Sequence, residues 1–194
     1  GRKRKPGNDS AVRSGVDAVV GRPKVGKSTL VNARVGEKGA IVTRTAQTTR
    51  HRIAGVINGD GFQAVLLDLP GFQKPRDRLT ERMQTAVNTT LREVDLVLMV
   101  LNAAEKIGAG DRFVAEAAFS VSTPVIIALN KIDLVSSDGL LPQIQMSVEL
   151  GDYEEIFPIS ARKGQGLDRL KDAVIARLPE GPMYYPADAV SDQP

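Results

Sequence analysis

Short apolar runs alternate with amphipathic segments along most of the chain. Apolar runs bounded by turn residues predict β-strands at 16–20, 52–58, 62–68, 94–101, 124–129 and 156–159. Helical periodicity predicts helices at 27–35, 79–92, 111–120, 140–150 and 167–178. Because helices follow most strands, we expect an α/β fold with a mostly parallel six-stranded sheet and helices on both faces. The turn Gly59-Asp60-Gly61 predicts a hairpin, and therefore one antiparallel edge strand.

Three segments lack either periodicity. The polar residues 1–14 predict a disordered basic leader, and the proline-containing residues 180–194 predict a linker or tail, which leaves 15–179 as one domain. The third segment, 36–52, is rich in threonine and arginine and shows no helical or strand period. A long polar loop after the first helix is a candidate switch segment.

The composition is ordinary for a globular protein. The 194 residues are 42% apolar and 25% charged, and the net charge is only +3. Much of that excess lies in residues 2–5, which we interpret as solvated rather than as an RNA-binding arm. The absence of cysteine excludes disulfides and cysteine–zinc sites. No apolar run is long enough to span a membrane or to form a signal peptide.

Residues 21–29, GRPKVGKST, lie between the first predicted strand and the first predicted helix. In that context G-x-x-x-x-G-K-S predicts a phosphate-binding P-loop, and the alternative is a chance turn rich in glycine and lysine. The Lys27 ammonium is expected to reach the β- and γ-phosphates, and the Ser28 hydroxyl to bind Mg²⁺. The backbone N–H groups at the helix start would bind phosphate oxygens; the predicted phosphate-binding residues are Lys24, Val25, Gly26, Lys27, Ser28 and Thr29.

Two further segments could act at the phosphates. Asp68 ends a predicted strand, where its carboxylate could hold Mg²⁺ through water while the Gly71 N–H faces the γ-phosphate; alone, Asp68 could equally form a turn. Within the polar loop we choose Thr49 as the Mg²⁺-capping, γ-phosphate-sensing residue, with Thr48 as the fallback. The predicted switch residues are Gln47, Thr48, Thr49, Arg50 and His51.

Asn130-Lys131-Ile132-Asp133 follows another predicted strand and indicates which base is bound. The Asp133 carboxylate can accept hydrogen bonds from guanine N1–H and N2–H₂, which adenine lacks. Asn130 is expected to brace neighbouring loops, and the Lys131 stem to lie over the base. After the last strand, Ser160-Ala161 would add a backbone N–H to guanine O6. Each motif is weak alone, since Asn-Lys-x-Asp could be a helix cap, but their order along the chain favours guanine binding.

With these motifs the chain resembles the TrmE–Era group of P-loop GTPases, and within it the Era family. The resemblance rests on GRPKVGKST, QTTRHRI at 47–53, DLPG at 68–71, NKID at 130–133 and ISA at 159–161. The strings LPEGP at 178–182, YYP at 184–186 and SDQP at 191–194 resemble the family's join to a second, RNA-binding KH domain. The resemblance covers residues 16–194, and we expect a GTPase domain without the KH domain.

The resemblance implies the P-loop GTPase (G-domain) fold, with GTP or GDP and Mg²⁺ as ligands. It implies a GTP hydrolase in ribosome biogenesis whose partner is the small ribosomal subunit and its rRNA, bound weakly without the KH domain. It also implies a cytoplasmic location, with peripheral association at the inner membrane, and we expect a monomer. The rival hypotheses are a nucleotide-binding scaffold with negligible turnover and an RNA- or ribosome-binding module.

The chain departs from the family pattern at three positions. Lys24 stands where the family usually has an asparagine that helps to hold an activating K⁺, so K⁺ activation is not expected. Lys24 either supplies positive charge itself or points to solvent, and we favour solvent. Phe72 occupies the position of the water-orienting glutamine of Ras-like enzymes, so we predict slow hydrolysis with Lys27 and Thr49 as catalytic residues. Leu69 replaces the usual threonine, with little expected effect.

Overall fold

The computed structural model describes residues 12–35, 40–41, 47–48, 51–69 and 78–185. These residues form eight β-strands and five α-helices. The strands are β1 (Arg13–Val20), β2 (Ala40–Ile41), β3 (Gln47–Thr48), β4 (His51–Gly59), β5 (Phe62–Asp68), β6 (Leu96–Asn102), β7 (Val125–Asn130) and β8 (Glu155–Pro158). The helices are α1 (Lys27–Val35), α2 (Arg78–Glu93), α3 (Ala109–Phe119), α4 (Ser137–Val148) and α5 (Leu167–Ala176).

All the strands belong to one twisted sheet, in the order β2-β4-β5-β1-β6-β7-β8, with β3 paired to β4. β1 lies at the centre and pairs in parallel with β5 and with β6, and β7 and β8 extend the parallel part. β4 runs antiparallel to β5. The predicted α/β architecture, with six long strands of which one is antiparallel, is therefore confirmed.

The sheet separates two apolar layers. One layer packs against α2 and α3 through residues such as Leu91 and Val114, and the other packs against α1 and α5 through Leu30 and Leu170. Every residue of β6 and β7 is buried, so both strands are covered on both faces of the sheet. In the described ranges no helix is both long and apolar enough to cross a bilayer.

The ends of the main elements lie within three residues of the predicted ones. The largest shift at a helix start is in α4, which begins at Ser137 rather than near residue 140 because the Ser136 side chain accepts a hydrogen bond from Gly139 N and caps the helix. Pro142 lies inside the helix, as the predicted range 140–150 requires.

The segment 36–52, predicted as a long polar loop, contains short strands in its described part. β2 and β3 are two-residue strands that pair with β4, and β4 begins at His51. The partners Thr48 and His51 face each other across a local hairpin. A strand of two residues gives no alternation of polar and apolar positions, so its backbone pairing leaves no trace in the sequence pattern.

The predicted domain boundaries are also too narrow. Arg13 and Ser14, assigned to the leader, belong to β1. At the other end Gly181 N donates to Val12 O at 2.9 Å, and the Ser14 hydroxyl donates to Pro182 O at 2.6 Å. The first residues of the expected linker are thus hydrogen-bonded to the start of β1 and to the residue that precedes it.

A buried glutamine extends this attachment to Tyr185. The Gln63 side chain is fully buried, donates to Tyr185 O at 2.9 Å and accepts from Tyr185 N at 3.0 Å. One amide side chain therefore pairs with both backbone groups of Tyr185, as a neighbouring strand would. Residues 180–185 belong to the domain in the structure.

Asp17 is an ionisable residue in the centre of the sheet. Its side chain lies in β1 between Leu66 and Leu96, it is 1% exposed, and within the described residues neither carboxylate oxygen has a hydrogen-bond partner. Burial, and secondarily the negative charge of Asp95, raise the pKa of Asp17 well above its ordinary value. The native protein therefore carries Asp17 as a neutral acid over a range of pH in which the unfolded chain has already lost that proton.

We predict that stability falls as pH rises above about 4, the ordinary carboxyl pKa. Because the folded state retains the Asp17 proton up to its raised pKa, each pH unit between the two values costs about 1.4 kcal/mol of unfolding free energy. Asp17→Asn should remove this slope, as measured by urea unfolding between pH 4 and pH 8. The matched control is Asp60→Asn, at an exposed position in the β4–β5 turn, which should keep it. An unchanged slope in Asp17→Asn would contradict the assignment.

Candidate functional site

The loops that carry the sequence motifs meet at one edge of the sheet. β1, β5, β6 and β7 are parallel, and the registers place Val19 beside Asp68 and Asn102 beside Asn130. The carboxyl ends of these strands therefore open at the same edge, which is where open α/β sheets bind ligands. The loops after β1, β5, β7 and β8 form the candidate site.

The loop after β1 curls around residues of positive φ and runs into α1. Gly26 has φ +96°, and a Cβ at this position would lie 2.3 Å from the Asn130 amide nitrogen. Only glycine fits there, since the backbone conformation and the contact both exclude a side chain. Lys24 also has a positive φ, +68°, which is uncommon for a residue with a side chain. Its side chain is exposed, as are Ser28 and Thr29 in the first turn of α1.

Asn130 joins two of the loops. Its side chain is 3% exposed, and its Nδ2 donates to Val25 O in the loop after β1 at 3.0 Å. Its Oδ1 accepts from Ala161 N in the loop after β8, also at 3.0 Å. Both ends of one buried amide are therefore satisfied by backbone groups of two different loops.

The neighbouring residues continue this connection. Lys131 Nζ donates to Lys24 O at 2.9 Å, so the Lys131 stem runs from the loop after β7 to the loop after β1. The buried Ser160 hydroxyl donates to Asp133 Oδ1 at 2.8 Å and accepts from Lys163 N at 3.1 Å. Asp133 itself is exposed. Its carboxylate is thus oriented at the surface by a fixed hydroxyl and remains open to a ligand.

Lys27 and Asp68 face each other across the other end of the site. Lys27 Nζ lies 3.5 Å from Asp68 Oδ1, and the two side chains are 19% and 33% exposed. Lys27 begins α1 and Asp68 ends β5, so the two elements predicted to carry phosphate and metal chemistry bring a cation and an anion together. Next to Asp68, Leu69 is 2% exposed and belongs to the core.

The sequence motifs did not predict that Arg22 forms ion pairs with residues outside the loop after β1. Its Nε donates to Asp111 Oδ1 at 3.0 Å, and its Nη2 donates to Glu105. The hydrogen bond from Arg22, together with the charge of that guanidinium, lowers the pKa of Glu105. An arginine inside the glycine-rich loop was visible in the sequence, but nothing there indicated that α3 would supply its partner.

For several of the predicted site residues the structure describes no side-chain position. Thr49, Arg50, Gly71 and Phe72 lie outside the described residues. Gln47, Thr48 and His51 are described only by their strands, where they pair across the β3–β4 hairpin. Among the described residues no group of three or more histidine, cysteine, aspartate or glutamate side chains is arranged to hold a metal ion.

Comparison with known proteins identifies related domains. The model of the 50S ribosome-binding GTPase family matches residues 17–131. The curated GTPase Era of Heliobacterium modesticaldum is 46% identical over 183 residues, which are 94% of this chain and 61% of that protein. The chain therefore spans about three fifths of the length of this relative.

Solved structures of Era are similar in fold and sequence. A variant of Aquifex aeolicus Era bound to GDP and AlF₄⁻ superposes with a TM-score of 0.75 at 36% identity, and 94% of this chain covers 62% of that one. Era in complex with MgGDPNP and nucleotides 1506–1542 of 16S ribosomal RNA gives a TM-score of 0.76 at 36% identity, with 94% and 63% covered.

We predict that Asn130→Ala lowers the unfolding free energy by about 2–4 kcal/mol, because it leaves Val25 O and Ala161 N without their buried partners. Urea unfolding at pH 7 measures the change. The matched control is Asn102→Ala, at the partner position of the neighbouring strand, where the side chain is also buried but, among the described residues, bonds only to Ala104 N. That variant should lose about 1 kcal/mol. Equal losses in the two variants would contradict the bracing role of Asn130.

Proposed function

Because the chain belongs to the 50S ribosome-binding GTPase family, we propose that it binds GTP and GDP at this edge of the sheet and hydrolyses GTP slowly, as a switch resembling the GTPase domain of Era. The observation that carries the proposal is the pair of Asn130 hydrogen bonds. They hold the glycine-rich loop and the loop after β8 in one arrangement, so a phosphate-binding and a base-binding segment are fixed relative to each other.

The loop after β1 supplies the phosphate end. The start of α1 presents unpaired backbone N–H groups and the positive end of the helix dipole, which favour an anion. The close contact of Gly26 with Asn130 fixes the curl of this loop. Lys27 at the base of the loop is the cation that would meet the β- and γ-phosphates.

The residues present fit a magnesium ion between this loop and β5. The exposed Ser28 hydroxyl and the partly exposed Asp68 carboxylate are oxygen donors of the kind that Mg²⁺ prefers. We propose that Ser28 binds the ion directly and that Asp68 holds it through water, with Thr49 as the third contributor. When bound, magnesium neutralises charge on the phosphate oxygens. Lys27 would then leave Asp68 and turn to the phosphates.

The loops after β7 and β8 supply the base end. The Ser160 hydroxyl holds one oxygen of Asp133, and the rest of that carboxylate is free to accept from guanine N1–H and N2–H₂. Adenine offers no such pair of donors, and a carboxylate without donors opposes its binding. We propose that Lys131 covers the base and that the Ala161 region reads guanine O6.

Hydrolysis in this site would proceed by in-line attack of water on the γ-phosphate. The bond from the γ-phosphorus to the bridging oxygen breaks, GDP leaves, and inorganic phosphate carries the oxygen of the water. Lys27 and the loop amides stabilise the charge of the transition state. Phe72 occupies the position of a water-orienting glutamine, so only backbone groups and Thr49 would orient the attacking water. For that reason we propose a low rate of hydrolysis.

A nucleotide-binding scaffold with negligible turnover is the second candidate, and the exposed Lys24 favours it, because an ammonium cannot hold an activating K⁺. We propose the rRNA of the small ribosomal subunit as a partner, supported by the similarity to the Era complex with 16S ribosomal RNA. We also propose that the domain is monomeric and acts in the cytoplasm. Peripheral association with the inner membrane rests on the family resemblance alone.

We predict that Asp133→Asn weakens GTP binding by about a hundredfold, since it removes a charged acceptor of two hydrogen bonds. The same variant should gain affinity for xanthosine triphosphate, whose base carries an oxygen where guanine carries the N2 amine. Competition binding with both nucleotides measures the change. Asp138→Asn, at an exposed position on α4, is the matched control and should keep the GTP preference. An unchanged preference in Asp133→Asn would refute the assignment of the base site.

Lys24→Asn should make GTP hydrolysis dependent on K⁺, because the new amide oxygen can coordinate the ion that the ammonium repels. We expect about a tenfold faster turnover in KCl than in NaCl at equal ionic strength, or about 1.4 kcal/mol of transition-state stabilisation. The unaltered protein and the control Lys106→Asn, at an exposed site after β6, should turn over equally in both salts. If the unaltered protein releases no phosphate in either salt, the scaffold proposal replaces the hydrolase.

A further inference from the structure

Arg22 fixes the start of the phosphate loop from outside the nucleotide site. Its guanidinium forms two ion pairs, with Asp111 and with Glu105, and its side chain is 23% exposed. Asp111 belongs to α3, and Glu105 to the loop that precedes it. Two donors of one planar group therefore hold two carboxylates, an arrangement for which arginine is better suited than lysine.

The main anchor, Asp111, is itself immobilised. Its side chain is 4% exposed, and while Oδ1 accepts from Arg22, Oδ2 accepts from Gly108 N at 3.1 Å and caps α3. Gly110 lies against the Arg22 stem, where a Cβ would come within 3.4 Å of Arg22 Cδ. Arg22 is thus bound to a rigid helix start rather than to a mobile surface group.

The other anchor, the Glu105 segment, is connected to α4 and to β7. Gln143 Nε2 donates to Glu105 O at 2.7 Å and to Ala103 O at 3.0 Å. Ala103 N in turn donates to Asn130 O at 2.7 Å. The Asn130 side chain in turn bonds to Val25 O. One connected set of hydrogen bonds therefore holds the phosphate loop at two points, Arg22 and Val25.

Lys24 lies between these two points of attachment, and its φ is positive although it is not a glycine. A residue with a side chain keeps such a conformation only where its surroundings impose it. The hydrogen bonds at Arg22 and Val25, together with the bond from Lys131 Nζ to Lys24 O, hold Lys24 in this backbone conformation. The amides that follow Lys24 are therefore oriented before any phosphate binds.

We propose that Arg22 is a positioning residue that pre-organises the phosphate loop and thereby slows the release of bound guanine nucleotide; this inference rests on the proposed function. A loop that is ordered in advance loses less conformational freedom on binding, so the bound state is longer-lived. The Arg22 guanidinium is held by Asp111 of α3 and by Glu105. It acts equally on GDP and GTP, and not on the chemical step.

The test is the dissociation of fluorescent mant-GDP, chased with excess GDP in the presence of Mg²⁺. We expect Arg22→Gln to release mant-GDP about tenfold faster, as the loss of a charge-assisted hydrogen bond implies. The KM for GTP should rise by a similar factor, while kcat at saturating GTP stays within about twofold, the pattern of lost uniform binding. Arg22→Lys, which can pair with one carboxylate only, should release at an intermediate rate.

Arg177→Gln is the matched control. Arg177 pairs with Glu154 and Glu155, its side chain is 21% exposed, and it is the C-cap residue of α5. It should lose stability without any change in release rate. Because dissociation is measured only on folded, loaded protein, a general loss of stability in Arg22→Gln does not mimic the expected effect.

Release at the unaltered rate in both Arg22→Gln and Arg22→Lys would overturn the proposal. If Arg22→Gln does not fold, the release rates of Glu105→Ala and Arg22→Lys test the proposal instead. Glu105 is 55% exposed, and its truncation removes one of the two carboxylates that bind Arg22. Those two variants should each release faster than the unaltered protein, and unchanged rates in both would again overturn it. Failure of the unaltered protein to bind mant-GDP would instead refute the proposed function.

Discussion

The buried amide of Asn130 is the interaction on which the site depends. It lies at the end of a central strand, and its two ends hold the loop after β1 and the loop after β8. These loops are far apart in the sequence, and the Asn130 side chain bonds directly to both of them. Because a buried amide is costly unless both of its ends are bonded, the loops are fixed wherever Asn130 is fixed. Gly26 permits this contact, since any side chain there would displace the amide.

The loops that carry the sequence motifs lie at one edge of the sheet because parallel strands bring their carboxyl ends together. Asp68 and Asn130 end β5 and β7, and Ser160 follows β8, so the strand order alone assigns them to one edge. The contacts between them were not predictable in the same way. Whether the Ser160 hydroxyl or its backbone neighbours would face Asp133 depends on the turn after β8, where Ser160 and Gln165 pair. Sequence periodicity does not report such turns.

Other features were missed because they arise from contacts between distant segments. Gln63 reads as a polar position in a strand, yet it is fully buried, because Tyr185 supplies a backbone donor and a backbone acceptor for its amide. Asp17 is one polar residue in an apolar run, and the sequence does not show that its carboxylate has no hydrogen-bond partner among the described residues of the folded sheet. The departure at Leu69 is easier to understand in three dimensions, since that side chain completes the core beside Asp68.

Isothermal titration with GDP and with ADP, in the presence of Mg²⁺, would test guanine binding at this edge of the sheet. We expect saturable binding of one GDP per chain and no measurable heat from ADP, because the Asp133 carboxylate would accept the hydrogen bonds that guanine offers and adenine lacks. Absence of GDP binding by folded protein, or ADP bound at least as tightly as GDP, would contradict it.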